Sequence, residues 1–562
     1  MRLKLIFFYL ISLVISKGYS QDKKLNIIGV DSTETSIINK IGYNIKHTDI
    51  TSIEKEIKKV RTNLINDGYI NTELISLDSI SKHLFIAKLH LKSKIETIHI
   101  YTDDIFNKKI KKSLKEKISN DTLVIKYKTL EKTLENLTEK LSSDGHPFLS
   151  IKLVNISNIN QNSLRADLKI NIEGSKRKLN KIIVKGYESF PKSYLKHYLK
   201  LKQNTNFNIT EIKKKTKTLN NLSFAKQIKK PEILFSKDST QLYIYIEKIK
   251  SNTFDGFIGF TTNEETNKIK FNGYLDIKLT NNLNYGESLL INYKSDESDQ
   301  TNFNIEANLP YLFNSPIGLN TALKIVRVDS TFSNTTQKAN ITFQLNSENL
   351  FFGGIESSNS TNLSSNNTIN NSLIDNYNAT FTNFGYQYLK RQSNLLFPIK
   401  TDITLIYGTG FRDNNNKTKQ NKISIDANHI FSLNDRNSLY LRGKAEILSS
   451  GNYLENELYR FGGINSIRGF SENSIIASNY YLLNTEYRYN LSSNIYINSV
   501  VDLGTFKNET INQNQNLYGF GFGFGILTKS GILSFVYANG KNEELPFKLN
   551  NSKIHLKLSA IF

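Results

Sequence analysis

Tyr459-Arg460-Phe461-Gly462-Gly463-Ile464-Asn465-Ser466-Ile467-Arg468-Gly469-Phe470 lies near the C-terminal end, between two strand-like stretches. A solvated hairpin tip is polar throughout, whereas this one carries two adjacent glycines, a third glycine and an arginine beside an aromatic. Glycine lets one backbone approach another closely, and a planar guanidinium fork can reach a carboxylate inside a polar cavity. The loop therefore reads as one that folds inward. Carboxylates stand on the next two strand candidates, Glu486 in Leu482-Leu483-Asn484-Thr485-Glu486-Tyr487 and Asp502 in Val500-Val501-Asp502-Leu503-Gly504. Arg468 is expected to pair with one or both.

The glycine pair, Ile467-Arg468-Gly469-Phe470 and Asp502-Leu503-Gly504 together resemble the outer-membrane assembly and translocation superfamily of BamA and TamA. The resemblance implies periplasmic POTRA domains followed by a barrel of sixteen strands. It also implies a sixth extracellular loop whose arginine is held inside the barrel by acids of the twelfth and thirteenth strands. The matching positions are Gly462, Gly463, Ile467, Arg468, Gly469, Phe470, Glu486, Asp502 and Gly504. The superfamily prefers an aromatic two residues before the strand aspartate, where this chain has Val500.

A chain of 562 residues is too long for one ordinary core. Its mean hydropathy of −0.39 excludes a bundle of membrane helices. A barrel stays open, because lipid-facing and lumen-facing side chains alternate and average out. Aromatics reach 11%, all Tyr and Phe, enough for interfacial girdles. Met1-Arg2-Leu3-Lys4, the apolar run from Leu5 to Ile15 and Ser20 before Gln21 read as a signal peptide over residues 1–20. No other apolar run nears the roughly 20 residues of a membrane helix, so insertion must use strands. The absence of cysteine removes disulfides, thiol catalysis, thiolate metal sites and N-terminal lipidation. The formal charge of +22 reads either as Lys- and Asn-rich compositional bias or as attraction to acidic headgroups and clients. Nucleic acid is not expected as a partner of an exported chain.

Three copies of a strand, helix, helix, strand, strand pattern follow, at residues 25–93, 94–176 and 177–250. In the first, Ile53, Ile57, Val60 and Leu64 line a helix face that Gly68-Tyr69 stops, and Phe85, Ala87, Leu89 and Leu91 alternate on the closing strand. In the second, Leu130, Leu134, Leu137 and Leu141 precede Gly145. The third carries a Lys-rich helix around Ile212, Leu219 and Leu222, with Leu222-Ser223-Phe224 in place of the glycine stop. These copies look like POTRA domains joined as beads, which by resemblance bind unfolded clients or partner proteins through a sheet edge.

From residue 251 to 562 helical spacing disappears and about sixteen alternating segments follow at hairpin intervals. The fold class is thus a transmembrane β-barrel of about sixteen antiparallel strands preceded by three α+β POTRA-like domains. The fourteenth segment alternates Tyr518, Phe520, Phe522 and Phe524 with Gly519, Gly521, Gly523 and Gly525. Its bare side either makes room for the inward loop or eases barrel curvature. The last segment places Ile554, Leu556, Leu558, Ala560 and Phe562 on one face. Leu556, Leu558 and the terminal Phe562 resemble the C-terminal signal read by barrel-assembly machinery. The Ser/Asn/Thr-rich stretch 357–376 reads as an exposed extracellular loop.

The eight histidines are scattered, and no metalloprotease, hydrolase-elbow or phosphate-loop spacing occurs. A non-enzyme without metal or cofactor is expected. The leading expectation is an outer-membrane factor that inserts or translocates unfolded outer-membrane or secreted proteins. Its repeats would face the periplasm, with further partners there or at the inner membrane, and its barrel would contact outer-membrane lipid. The rivals are a two-partner secretion pore for one client and a passive channel or surface-binding barrel. Against the secretion pore, the first repeat begins directly after the signal and leaves no plug helix; three repeats favour an accessory, TamA-like role.

Overall fold

We describe residues 23–101, 122–262, 269–295, 300–329, 331–364, 373–528, 531–543, 547–548 and 552–560 of a computed structural model. The signal segment 1–20, Phe562 and the side chain of Leu558 lie outside the described residues. The chain separates into two compact units, Met1–Lys178 with Asn206–Thr210 and Leu179–Thr205 with Glu211–Phe562. The third α+β domain thus groups with the barrel instead of standing as a separate bead.

The first unit opens with β1 (Lys23–Ile28), α1 (Ser32–Ile41), β2 (Lys46–His47), α2 (Ile50–Asn66), β3 (Glu73–Ser81) and β4 (Leu84–His90), in sheet order β2-β1-β4-β3. Asp49 and Ser52 start α2 with a reciprocal capping box. Ile53, Ile57, Val60 and Leu64 pack on Leu25, Ile27, Phe85, Ala87 and Leu89. Gly68, at φ 110°, ends the helix. Its carbonyl accepts the Ile95 N–H at 2.9 Å, and a Cβ there would stand 2.3 Å from the Ile95 oxygen. The helix stop is therefore also the joint to the next domain. Asp67 locks the same corner, accepting from Lys94 at 2.8 Å and Lys128 at 3.0 Å. The Lys94 hydrogen bond, which outweighs the opposing effect of burial and is joined by that of Lys128, holds the Asp67 carboxyl below its ordinary range.

The second domain contributes β5 (Thr97–Tyr101), β6 (Thr122–Lys126), α3 (Leu130–Ser142), β7 (Ser150–Asn160) and β8 (Ser163–Asn171), in order β6-β5-β8-β7. Within the same unit the glycine after α3 acts alike: Gly145, at φ 99°, accepts the Arg177 N–H at 2.7 Å.

In the second unit the third domain consists of β9 (Lys181–Lys185), a π-helical turn (Tyr194–Tyr198), α4 (Ile209–Lys217), β10 (Ala225–Phe235) and β11 (Thr240–Lys248), in order β10-β11-β9. Leu222 is extended, not helical as the sequence reading has it, because α4 tightens into a 3₁₀ turn at Thr218–Asn221. Without a glycine, Phe224 still accepts the Ile249 N–H at 3.1 Å. All three sheets pair first and last strands in parallel and leave the next-to-last strand at an edge. Those edge strands, β3, β7 and β10, each carry two register shifts, and β10 includes Pro231. Bulges and proline blunt an edge against further pairing.

The barrel is one antiparallel sheet of sixteen strands in sequence order. They are β12 (Thr253–Thr262), β13 (Ile269–Thr280), β14 (Ser288–Ser295), β15 (Gln300–Leu309), β16 (Ile317–Val328), β17 (Phe332–Gln344), β18 (Asn349–Asn362), β19 (Tyr377–Arg391), β20 (Ile399–Asp413), β21 (Lys417–Ser432) and β22 (Asn437–Ser450). A long loop carries the two short strands β23 (Tyr459–Phe461) and β24 (Ile475–Ala477). Then come β25 (Asn479–Asn490), β26 (Ile495–Asn508), β27 (Gln513–Thr528), β28 (Gly531–Lys541) and β29 (Lys553–Ala560). Tyr481, Leu483, Leu503, Phe520, Phe522, Phe524 and Leu556 point outward, the lipid face of a period-two strand. Among the described residues no helix is long and apolar enough to cross a membrane.

Residues 357–362 correct the sequence reading: they are not loop but the end of β18. Ser358 and Ser360 are buried in the lumen while Ser357 and Asn359 face out. With both faces polar, hydrophobic alternation gave no strand signal.

The third domain is seated on the turns at the barrel mouth. Tyr187 donates to Asn284 at 2.5 Å and accepts from Asn281 at 2.8 Å. Tyr194 donates to the Gly286 carbonyl at 3.1 Å, and His197 reaches the Asn314 carbonyl at 2.8 Å while stacking on Tyr311. Burial pushes the Tyr194 hydroxyl pKa well up.

Candidate functional site

The long loop between β22 and β25 folds into the lumen. Gly462 (φ 122°), Gly463 (φ 89°) and Gly469 (φ 91°) all occupy backbone conformations that favour glycine. Between them the chain closes on itself: the Gly463 N–H donates to the Ile467 carbonyl at 3.1 Å, and the Gly462 N–H to Ser466 Oγ at 2.7 Å. Arg468 is thereby presented at the tip.

Its guanidinium meets both acids. Nε and Nη2 donate to the two oxygens of Asp502 at 2.8 and 2.5 Å, and its backbone N–H adds a third bond to Asp502 at 2.9 Å. Nη1 donates to Glu486, whose other oxygen accepts from Arg488 Nε at 2.7 Å. Arg488 lies over the rings of Phe397 and Tyr440 at 4.2 and 4.1 Å. Asp502 is fully buried. Two arginines thus neutralise two carboxylates, with the bidentate pair on the more deeply buried acid.

The glycines of the facing wall make this approach possible. A Cβ on Gly519 of β27 would stand 2.4 Å from the Arg468 carbonyl oxygen, and one on Gly540 of β28 2.6 Å from the Gly469 oxygen. Ile467 is buried with Phe461, Phe470, Tyr480, Leu482, Phe506 and Leu517, and Gly504 leaves space for its Cδ1. Val500, at the position where the superfamily prefers an aromatic, is buried with Val536 and Ala538.

A second anchor was missed in the sequence. Arg412 of β20 is fully buried and donates to Glu457 and Asn452 of the loop's first half. Glu457 also accepts from Gln420 of β21 at 2.9 Å. Asn456 donates to Ser360 and to the Asp375 carbonyl, both at 2.7 Å, and its own carbonyl accepts from Asn334 of β17 at 2.5 Å. Midway, Arg442 of β22, paired with Asp426, donates to the Asn465 carbonyl at 2.8 Å. Asn484 of β25 donates to the Ser466 carbonyl at 2.7 Å. Among the described residues no group of three or more His, Cys, Asp or Glu is placed to hold a metal.

A sixteen-stranded barrel with an arginine-tipped loop clamped in its lumen, preceded by POTRA-like α+β domains, is the fold of the solved BamA and CdiB barrels to which the chain is similar. More narrowly, residues 357–526 match the family model described as Haemolysin secretion/activation protein ShlB/FhaC/HecB. Solved structures are similar over most of the chain. CdiB from Escherichia coli has TM-score 0.52 at 14% identity, covering 90% of this chain and 98% of that one. CdiB from Acinetobacter baumannii has TM-score 0.52 at 15% identity, covering 84% and 90%. BamA from Haemophilus ducreyi lacking POTRA domains 1–3 has TM-score 0.50 at 16% identity, covering 84% and 100%. No curated protein matches by sequence.

Proposed function

We propose that the chain receives unfolded protein clients in the periplasm and passes them into or across the outer membrane, with insertion of barrel clients as the leading reading. The observation that carries it is the third domain, seated on the barrel mouth through Tyr187, Tyr194 and His197. One edge of that domain is blunted by bulges and Pro231, but the other is β9, a regular strand beside a groove of ≈ 640 Å³ lined by Ile182, Val184, Phe190, Leu195 and Leu201 and by Lys185, Glu188, Lys192, Lys196, Lys202 and Gln203. An extended client adding to β9 would gain backbone hydrogen bonds and a groove of mixed apolar and basic side chains directly at the barrel entrance.

The test is reconstitution of the full chain, and of one lacking residues 21–178, in liposomes offered urea-unfolded barrel clients. Client folding is read by heat-modifiable gel mobility. Acceleration by the full chain supports insertion, and its loss on substituting Ile182 and Val184 by lysine assigns capture to β9. No acceleration by the full chain refutes the insertion reading.

A second reading, a secretion pore for a dedicated client, is favoured by the family model over residues 357–526 and by the similarity to CdiB. It predicts export of one co-expressed client and no acceleration of unrelated barrels. In neither reading does the chain carry out a chemical step; its work is recognition and strand exchange.

A further inference from the structure

We propose that the barrel lumen holds a binding site for a compact, multivalent oxyanion of the phosphate type. Beside the seated loop lies a cavity of ≈ 430 Å³ lined by Lys324, Lys338, Lys422 and Lys444 from four strands and by Arg460 from the loop. The cations are only partly neutralised. Lys338 and Lys422 share one carboxylate, Glu356, each at 2.9 Å. Lys444 stands 4.0 Å from Glu446, which also accepts from Ser424, and Arg460 stands 3.6 Å from Glu455. Five cations against three carboxylates leave an excess of two positive charges. Lys324 has no carboxylate within ion-pair distance among the described residues.

Like charges gathered in a cavity with low-dielectric walls repel one another and focus a positive potential on the space between them. Rings of lysine and arginine are how pores and pockets select anions and phosphates, with lysine serving as a point charge. The geometry also says what the ligand would do. Because Arg460 sits on the loop and Lys324 on β16, an oxyanion between them ties the loop to a strand that its hydrogen bonds do not reach. This inference does not depend on the client chemistry proposed above.

Isothermal titration of the full chain in detergent with inorganic pyrophosphate, at fixed chloride, tests it. The expected result is saturable binding whose Kd rises at least tenfold in Lys324→Gln and again in Lys324→Gln/Lys444→Gln. Glu446→Gln, which removes a competing carboxylate, should tighten it. Lys213→Gln, an exposed lysine of the third domain, should leave it unchanged. Heat-modifiable mobility confirms that each variant barrel is folded. Absence of saturable binding overturns the proposal, as does an affinity insensitive to Lys324 and Lys444, equal loss in Lys213→Gln, or binding of acidic peptides only.

Discussion

Replacing Arg468 by alanine should release the loop tip, and the two acids it leaves behind should respond differently. Glu486 keeps Arg488 at 2.7 Å. Asp502, fully buried, loses both guanidinium bonds and, among the described residues, retains only the backbone N–H of position 468. Removing one partner of a buried pair costs about 3–5 kcal/mol, because the other charge is left uncompensated. At 1.4 kcal/mol per tenfold, the seated-to-released ratio of the loop falls roughly 100- to 4000-fold. Releasing the tip also lets Asp502 rehydrate, so the loss is confined to the loop and need not unfold the barrel. The assay is hydrogen exchange of loop residues 462–470 in the purified, folded barrel. The wild type should protect the Arg468 N–H, and Arg468→Ala should lose that protection. Arg468→Lys should lie between, since it keeps the charge but not the fork. Arg468→Ala/Asp502→Ala should cost less than the two single changes together, because the stranded charge is gone. Unchanged protection in Arg468→Ala, or strict additivity in the double variant, would refute the reasoning.

Other outcomes follow from the same geometry. Gly519→Ala forces a Cβ to 2.4 Å from the Arg468 oxygen and should expose the loop to added protease, at an overpacking cost of about 1–3 kcal/mol. Gly443→Ala, which meets nothing within 4 Å, should behave as wild type; equal sensitivity in the two would undo the glycine-wall argument. Glu457→Gln should raise hydrogen exchange over residues 452–458 while residues 466–470 stay protected, and a uniform rise would show that the two anchors are not separate. Asp67→Asn should loosen the joint between the first two domains by at most about 1 kcal/mol, since the pair is partly exposed and screened by solvent. As the Asp67 pKa is depressed below 3.8, this stabilisation is complete above about pH 4 and lost as pH falls through the lowered value. Distance distributions between spin labels on the two domains should broaden on that acid side and not between pH 5 and 8.

The Arg468 arrangement was legible because its elements are local. Arg468, Glu486 and Asp502 lie within 34 positions of one another, and the acids fall on successive strands of one hairpin. The second anchor was not. Arg412 and Glu457 are 45 residues apart, and nothing about either residue types it as a partner. The one available signal was parity: Arg412 falls in step with Gly408 and Gly410 on the inward face of β20. The barrel was countable wherever lipid imposes hydrophobic alternation. It failed at residues 357–362, where β18 has polar residues on both faces. The long helices of the first two repeats, Ile50–Asn66 and Leu130–Ser142, followed from apolar spacing and glycine stops; in the third, where the glycine is missing, the same spacing carried the helix too far, to Leu222. The third domain's union with the barrel could not be read this way, because it rests on tyrosine hydroxyls meeting turn residues about 90 positions away.

The loop's bonds and close contacts reach every strand from β17 to β22 and from β25 to β28. Among the described residues none of its hydrogen bonds reaches β12 to β16 or β29. Mechanically, it is an internal spar fitted to one arc of the cylinder. Under lateral tension, or on squeezing by a thinner bilayer, the braced arc keeps its curvature. Deformation then concentrates in the five strands that begin the barrel and the one that ends it. These are neighbours around the cylinder, so compliance gathers where the two ends of the sheet meet.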